Sequence, residues 1–93
     1  MFSWDARKAM RNRWKHGVPF EEAATIFADP NGLDWEDVEH RETEPRWKRL
    51  ALSAGGRILL VVYTVRRLRN GIESIRIISA RQASHKERKA YAG

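Results

Sequence analysis

The sequence has no cysteine. Disulfides and thiolate metal sites are therefore excluded, and a chain without staples must rely on its core, which suits a reducing cytoplasm. Long apolar runs are also missing. The longest, Ile58 to Tyr63, falls far short of the ~20 residues a membrane span needs. The opening MFSWDARK lacks the apolar stretch of a secretory signal. The expectation is a cytoplasmic protein with no membrane contact. Only three histidines occur; His16, His40 and His85 have no metal-ligand spacing such as HExxH, so no metal or other cofactor is expected. Gly55-Gly56 lacks the flanking pattern and following helix of a phosphate loop, and no serine nucleophile elbow is recognisable.

What is present fits one small folded domain over residues 1–93, with 42 % hydrophobic residues. Charge is distributed unevenly. Residues 1–17 hold five Lys/Arg against Asp5, a net +4. Residues 18–45 hold nine Asp/Glu against Arg41, a net −8. Residues 46–93 hold twelve Lys/Arg against Glu73 and Glu87, a net +10. Nine of those twelve are arginine, whose planar fork grips phosphate bidentately. Such a block suits a polyanionic partner bound with strong salt dependence. The acidic middle either balances the chain or holds a basic partner.

Local patterns predict an α+β order. Phe2 to Trp4 is a short strand or extended lead-in. Asp5 caps a helix over 6–16, with Ala6, Ala9, Met10 and Trp14 on its apolar face and Gly17 as its stop. Pro19 opens a second helix over about 20–28, which Asp29-Pro30-Asn31-Gly32 ends. Leu33 to Val38 is an edge strand and Glu42 to Pro45 a loop. Strands follow at Arg46–Ser53, Ile58–Val65 and Ile72–Ala80, with turns at Gly55-Gly56 and Asn70-Gly71. The unbroken ILLVVYTV predicts a central strand covered on both faces. Alternation puts Ile75, Ile77 and Ser79 on one side of the last strand and Ser74, Arg76 and Ile78 on the other. Ser84 to Glu87 forms a capping box for a terminal helix through Tyr91. The two N-terminal helices cover one face of an antiparallel meander, and basic side chains from several strands can converge on the other. Trp4, Trp14, Trp35 and Trp47 read as core, with Trp35 or Trp47 able to stack a base if exposed.

RNA cleavage needs neither metal nor a protein nucleophile. The substrate's own 2′-OH attacks phosphorus, while the enzyme orients the attack, neutralises the phosphate and moves two protons. Arg46, Lys48, Arg57, Arg76, Arg81 and Tyr91 are the residues whose placement allows convergence for that chemistry. Each has a plainer alternative: a surface charge for Arg57 and Arg76, a neighbour of Trp47 for Lys48, a packing anchor for Tyr91. His16 equally reads as a helix C-terminal cation, and His40 as a bystander in an acidic loop.

The stretches WDARKAMRNRWKHGVPFEEAATIFADPNG, GRILLVVYT and IRIISARQASHKERKAY resemble the BrnT family of type II toxin–antitoxin systems, nearly end to end and in order. The resemblance implies a RelE-like fold and a ribonuclease toxin. It also implies a BrnA-like antitoxin that neutralises the toxin and binds operator DNA, so that this chain would meet DNA indirectly. RelE-like toxins carry basic residues on central strands and a terminal tyrosine. By position these fall on Lys48, on Arg57 within the Ser53-x-Gly55-x-Arg57 hairpin pattern, on Arg81 and on Tyr91, which are assigned catalysis. Arg46, Arg76, Lys15 and His16 are assigned RNA binding. A second strand lysine expected near Leu50 is absent, with Arg46 or Arg76 compensating, and Pro19 stands where a capping serine is common. An antitoxin that covers part of the basic face is the simplest inhibitor. The alternative is a non-catalytic nucleic-acid-binding or co-repressor module with the same charge and fold.

Overall fold

Asp5 starts the first helix as its chemistry predicts. Its carboxylate accepts hydrogen bonds from the backbone N–H of Arg7 and Lys8, at 2.8 and 3.1 Å, which satisfies two of the unpaired donors of the first turn. Gly17 ends the helix at φ 69°, its N–H donating to the Arg13 carbonyl, a backbone conformation that glycine adopts without strain. The computed structural model describes residues 1–39 and 44–93. Its elements are β1 (Phe2–Ser3), α1 (Ala6–His16), α2 (Phe20–Thr25) with a 3-10 turn (Ile26–Ala28), β2 (Leu33–Asp37), β3 (Arg46–Leu52), β4 (Ile58–Arg67), β5 (Glu73–Gln82) and α3 (His85–Ala92). Arg66 and Arg67 thus extend β4 where a turn was expected, and β5 runs two residues past Ala80. His40 and the start of the loop expected at Glu42–Pro45 lie outside the described residues. Among the described residues no helix is long and apolar enough to cross a membrane.

The sheet runs β1-β5-β4-β3-β2. The meander β2 to β5 is antiparallel throughout. The sheet as a whole is mixed rather than antiparallel, because β1 pairs parallel with β5, Phe2 opposite Ile75. The lead-in before Asp5 finds the unpaired outer side of β5, where the Ile75 N–H donates to the Met1 carbonyl at 2.9 Å and satisfies a backbone group that would otherwise stay open.

One sheet face carries the main core, in which Val18, Phe20, Ala23 and Ile26 meet Ala51, Leu59, Val61, Ile77 and Ala80. A smaller cluster on the other face joins Leu50, Leu60 and Ala83 beneath α3, with Ile58 and Tyr91 packed against it. Leu59, Leu60 and Val61 in β4 are therefore covered on both sides, as the composition of the run predicts, whereas Val62 is half-buried and Val65 is exposed. The α3 capping box forms as the Ser84/Glu87 pattern requires.

Two further expectations are corrected. At Val62/Tyr63 the β4–β5 register slips: Val62 faces Ser79 and Tyr63 faces Ile77, leaving Ile78 as an extra residue. This bulge breaks the strict alternation. Ile77 and Ala80, three apart, enter the same core, and Ser79 turns to the side of Arg76. The second correction concerns α1. Met10 and Trp14 do not face inward; Trp14 is 90 % exposed. The buried side holds Asn12 instead. Its carboxamide donates to the Ala80 carbonyl at 2.8 Å and accepts from the Ala80 N–H at 3.0 Å, and it also donates to the Val18 carbonyl. This side chain satisfies the outer edge of β5 beyond the reach of β1 and fixes α1 there.

Candidate functional site

The face of the sheet opposite the main core is ordered in rows by strand register. Leu33, Leu50, Leu60 and Arg81 form the first, Trp35, Lys48, Val62 and Ser79 the second. Asp37 lies opposite Arg46, and Thr64 opposite Arg76, in the third. Leu50 and Leu60 of the first row lie beneath α3. The other two rows stay open, and α1 rises along their β5 side.

Three hollows meet over Ile78. One is lined by Lys8, Glu44, Arg46, Thr64, Arg66 and Arg76, and encloses about 140 Å³. The second, about 220 Å³, lies between α1 and β5 and is lined by Lys8, Arg11, Lys15, His16 and Ser79. The third, about 230 Å³, is lined by Asp37, Arg46, Lys48, Val62 and Ser79. Together they form a trough with seven cationic side chains and two carboxylates. Cations packed this densely repel one another unless an anion or a carboxylate intervenes. Two pairs supply part of that: Lys48 Nζ lies 3.9 Å from Asp37 Oδ2, and Arg66 binds Glu44 at 3.0 Å. Thr64 Oγ1 is buried in the same lining and has no hydrogen-bond partner among the described residues.

Of the residues assigned from sequence, Arg46, Lys48, Arg76, Lys15 and His16 therefore come together. Arg81 borders them. It lies two residues from Ser79, about 7 Å along the strand on the same side, and its guanidinium holds Glu87 in a fork at 2.8 and 2.9 Å. That fork draws the Glu87 carboxyl down to about 2, with the Ser84 N–H adding to the effect, and raises the Arg81 guanidinium above its ordinary value.

Arg57 and Tyr91 stand apart from the trough. Arg57 turns toward α2, where Nε donates to Glu22 Oε2 at 2.9 Å and Nη2 to the Gly17 carbonyl at 3.2 Å. Ser53 Oγ donates to the same Glu22 oxygen at 2.7 Å and accepts the Arg57 N–H. A Cβ at Gly55 would come within 3.1 Å of that carboxylate. The Ser-x-Gly-x-Arg pattern is thus a clamp that ties the β3–β4 hairpin to α2, and the guanidinium holds Glu22 below the usual carboxylate range. Tyr91 Oη donates to Asp29 Oδ2 at 2.6 Å, pinning α3 to the turn after the 3-10 segment. Arg49 is also spent on the fold: it donates to the carbonyls of Ile26 and Asp29, pairs with Asp34 and lies over the Phe27 ring.

The tryptophans divide. Trp4 packs edge-on against Phe20 at 6.0 Å, and Trp47 is half-buried. Trp35 is 40 % exposed beside Lys48 in the second row, within reach of a base. Sequence reasoning missed Lys8, Arg11 and Arg66, which line the trough, and Asp37, which faces Lys48. The spacing of Lys8, Arg11 and Lys15 along one flank of α1 was the available signal.

The family model for the ribonuclease toxin BrnT of type II toxin–antitoxin systems matches residues 4–87. The chain belongs to the BrnT family. Its fold is similar to that in the 1.1 Å crystal structure of the Brucella abortus ribonuclease toxin BrnT, with a TM-score of 0.65 at 23 % identity, covering 91 % of this chain and 99 % of that one. No curated protein sequence matches this chain. Membership in the BrnT family makes the chain a ribonuclease toxin with an antitoxin partner and an RNA substrate.

Proposed function

We propose that this BrnT-family toxin cleaves RNA as a RelE-like, metal-independent endoribonuclease, with the trough as its active site. The observation that carries the reading is the gathering of Arg46 and Lys48 from β3 and Arg76 from β5 over one floor. These groups hold the scissile phosphate and offset the charge that builds on its oxygens as the ribose 2′-OH attacks. One such donor commonly contributes about 3 kcal/mol to the transition state. The 2′-oxygen–phosphorus bond forms as the 5′-oxygen–phosphorus bond breaks, leaving a 2′,3′-cyclic phosphate and a 5′-hydroxyl. Lys8, Lys15 and His16 on α1 guide the neighbouring phosphates. Arg81 enters from the α3 side, exchanging part of its pairing with Glu87 for substrate. Trp35 stacks a base beside Lys48. Arg57 and Tyr91 support the site by holding the hairpin and α3 in place.

A BrnA-like antitoxin neutralises the enzyme by covering part of this basic face, and through it the chain reaches operator DNA. The test is RNA degradation by the purified, antitoxin-free chain in EDTA, with cyclic-phosphate ends scored. Lys48→Ala combined with Arg76→Ala abolishes cleavage and toxicity while antitoxin binding persists. Intact RNA at high concentration of folded wild-type chain, or wild type harmless when expressed alone, would return the protein to the binder reading.

A further inference from the structure

The outward face of α1 turns away from the core and, except at Arg11, from the trough. Opposite the side that holds Ala9, Asn12 and His16 stand Arg7, Met10, Arg11 and Trp14, at i, i+3, i+4 and i+7, one continuous stripe. Met10 is 74 % exposed and Trp14 90 % exposed. Single exposed apolar residues are ordinary. Here two large ones lie one turn apart and adjoin a cleft between α1 and α2, lined by Ala9, Met10, Arg13, Pro19, Phe20 and, at its α2 end, the single carboxylate of Glu21. The apolar surface therefore continues from one helix to the next. Arg7, Arg11 and Arg13, all exposed, surround it.

We propose that this stripe docks an acidic amphipathic helix of the antitoxin, a reading that rests on the toxin–antitoxin assignment above. An apolar face seats between Met10 and Trp14, and flanking carboxylates pair with the three arginines, the helix-in-groove mode of recognition. Charge decides between the candidate occupants. A second copy of this face would set the same arginines against each other, which costs affinity. RNA meets α1 on its other flank, where Lys8, Arg11 and Lys15 line the trough; Met10 offers it neither charge nor hydrogen-bond donor. Arg11 belongs to both flanks. A helix lying along the stripe therefore runs beside the rim of the trough and draws Arg11 away from substrate, so docking and inhibition are physically linked.

The test titrates full-length antitoxin from the same operon against wild type, Met10→Ala/Trp14→Ala and Arg7→Glu/Arg13→Glu, with RNA degradation by each free variant measured in parallel. The exposure of both apolar side chains means that the double alanine variant folds and degrades RNA as wild type does. Its antitoxin affinity falls at least about 30-fold, the scale of an interface hot spot. The charge-reversed variant binds more weakly and with a flatter salt dependence. Unchanged affinity in both variants would overturn the proposal, as would loss of RNA degradation in the alanine variant, which would make the stripe an RNA platform. Self-association of wild type that the alanine variant abolishes would overturn it in favour of a second copy. If no version degrades RNA while the binding losses appear, the nuclease reading fails and the docking surface stands.

Discussion

If the trough holds several phosphates at once, its affinity for RNA must fall steeply with salt, and the slope can be worked from the lining. Lys8, Arg11, Lys15, Arg46, Lys48, Arg66 and Arg76 face Asp37 and Glu44 there, a net of five positive charges with His16 neutral. For a single strand, each phosphate neutralised contributes about −0.7 to the slope of log affinity against log salt. Five give a slope of about −3.5, hence roughly a hundredfold loss of affinity between 50 and 200 mM salt. Lys48→Ala with Arg76→Ala leaves three charges, a slope of about −2 and a loss of only about twentyfold over the same range. Arg57→Ala removes a charge that is bound to Glu22 on the α2 side, so the slope stays at the wild-type value. The assay is fluorescence anisotropy on a labelled RNA with 2′-O-methyl riboses, which binds without being cut, with folding of each variant confirmed by circular dichroism. A double variant that keeps the full slope, or an Arg57 variant that loses as much as either trough residue, would refute the assignment of the phosphate path to this face.

Two further outcomes follow from the packing. Asn12→Ala strips the buried Ala80 N–H and carbonyl and the Val18 carbonyl of their partner; at ~1–3 kcal/mol for each group left unsatisfied, urea denaturation should show a loss of about 3 kcal/mol, a large share of the ~5–14 kcal/mol usual for a domain of this size. An unchanged midpoint would mean that α1 is held by its apolar contacts alone. For Glu87, the folded value of about 2 lies below its ordinary 4.5, so its pairing with Arg81 stabilises α3 fully above about pH 4.5 and loses that contribution as pH falls through about 2. An NMR titration of the Glu87 carboxyl checks this, and an ordinary midpoint would contradict the fork seen here.

What the sequence made legible was local. Asp5, Gly17 and the Ser84/Glu87 box act within a turn of themselves, and the structure places the helix ends beside them. The first half of the apolar run of β4 needed only its composition to be read as doubly covered, while its second half opens on the trough. What escaped depended on distant partners. Asn12 meets Ala80 across 68 positions, and no periodicity marks it. Ile78 bulges because of how β4 and β5 register, so the side assigned to Ser79 by alternation was the wrong one. Arg57 and Arg81 look alike as arginines at strand ends. Only Glu22 on one side and the Ser79 row on the other separate a clamp from a neighbour of the trough. Met10 and Trp14 looked like core because apolar residues at helical spacing usually are; charge on both neighbouring flanks of α1 was the sign that the stripe faced outward.

The carboxamide of Asn12 performs the task of a missing strand at Ala80, and that limits how this molecule can assemble. With β1 along one stretch of β5 and Asn12 on another, an intruding chain finds the Ile75 N–H and both Ala80 backbone groups already taken at that margin. Runaway polymerisation and exchange of segments between copies are discouraged there without any cost to solubility. Contacts around Ala80 therefore fall to side chains, which can be tuned one at a time and so allow a toxin to distinguish its own antidote from those of its neighbours.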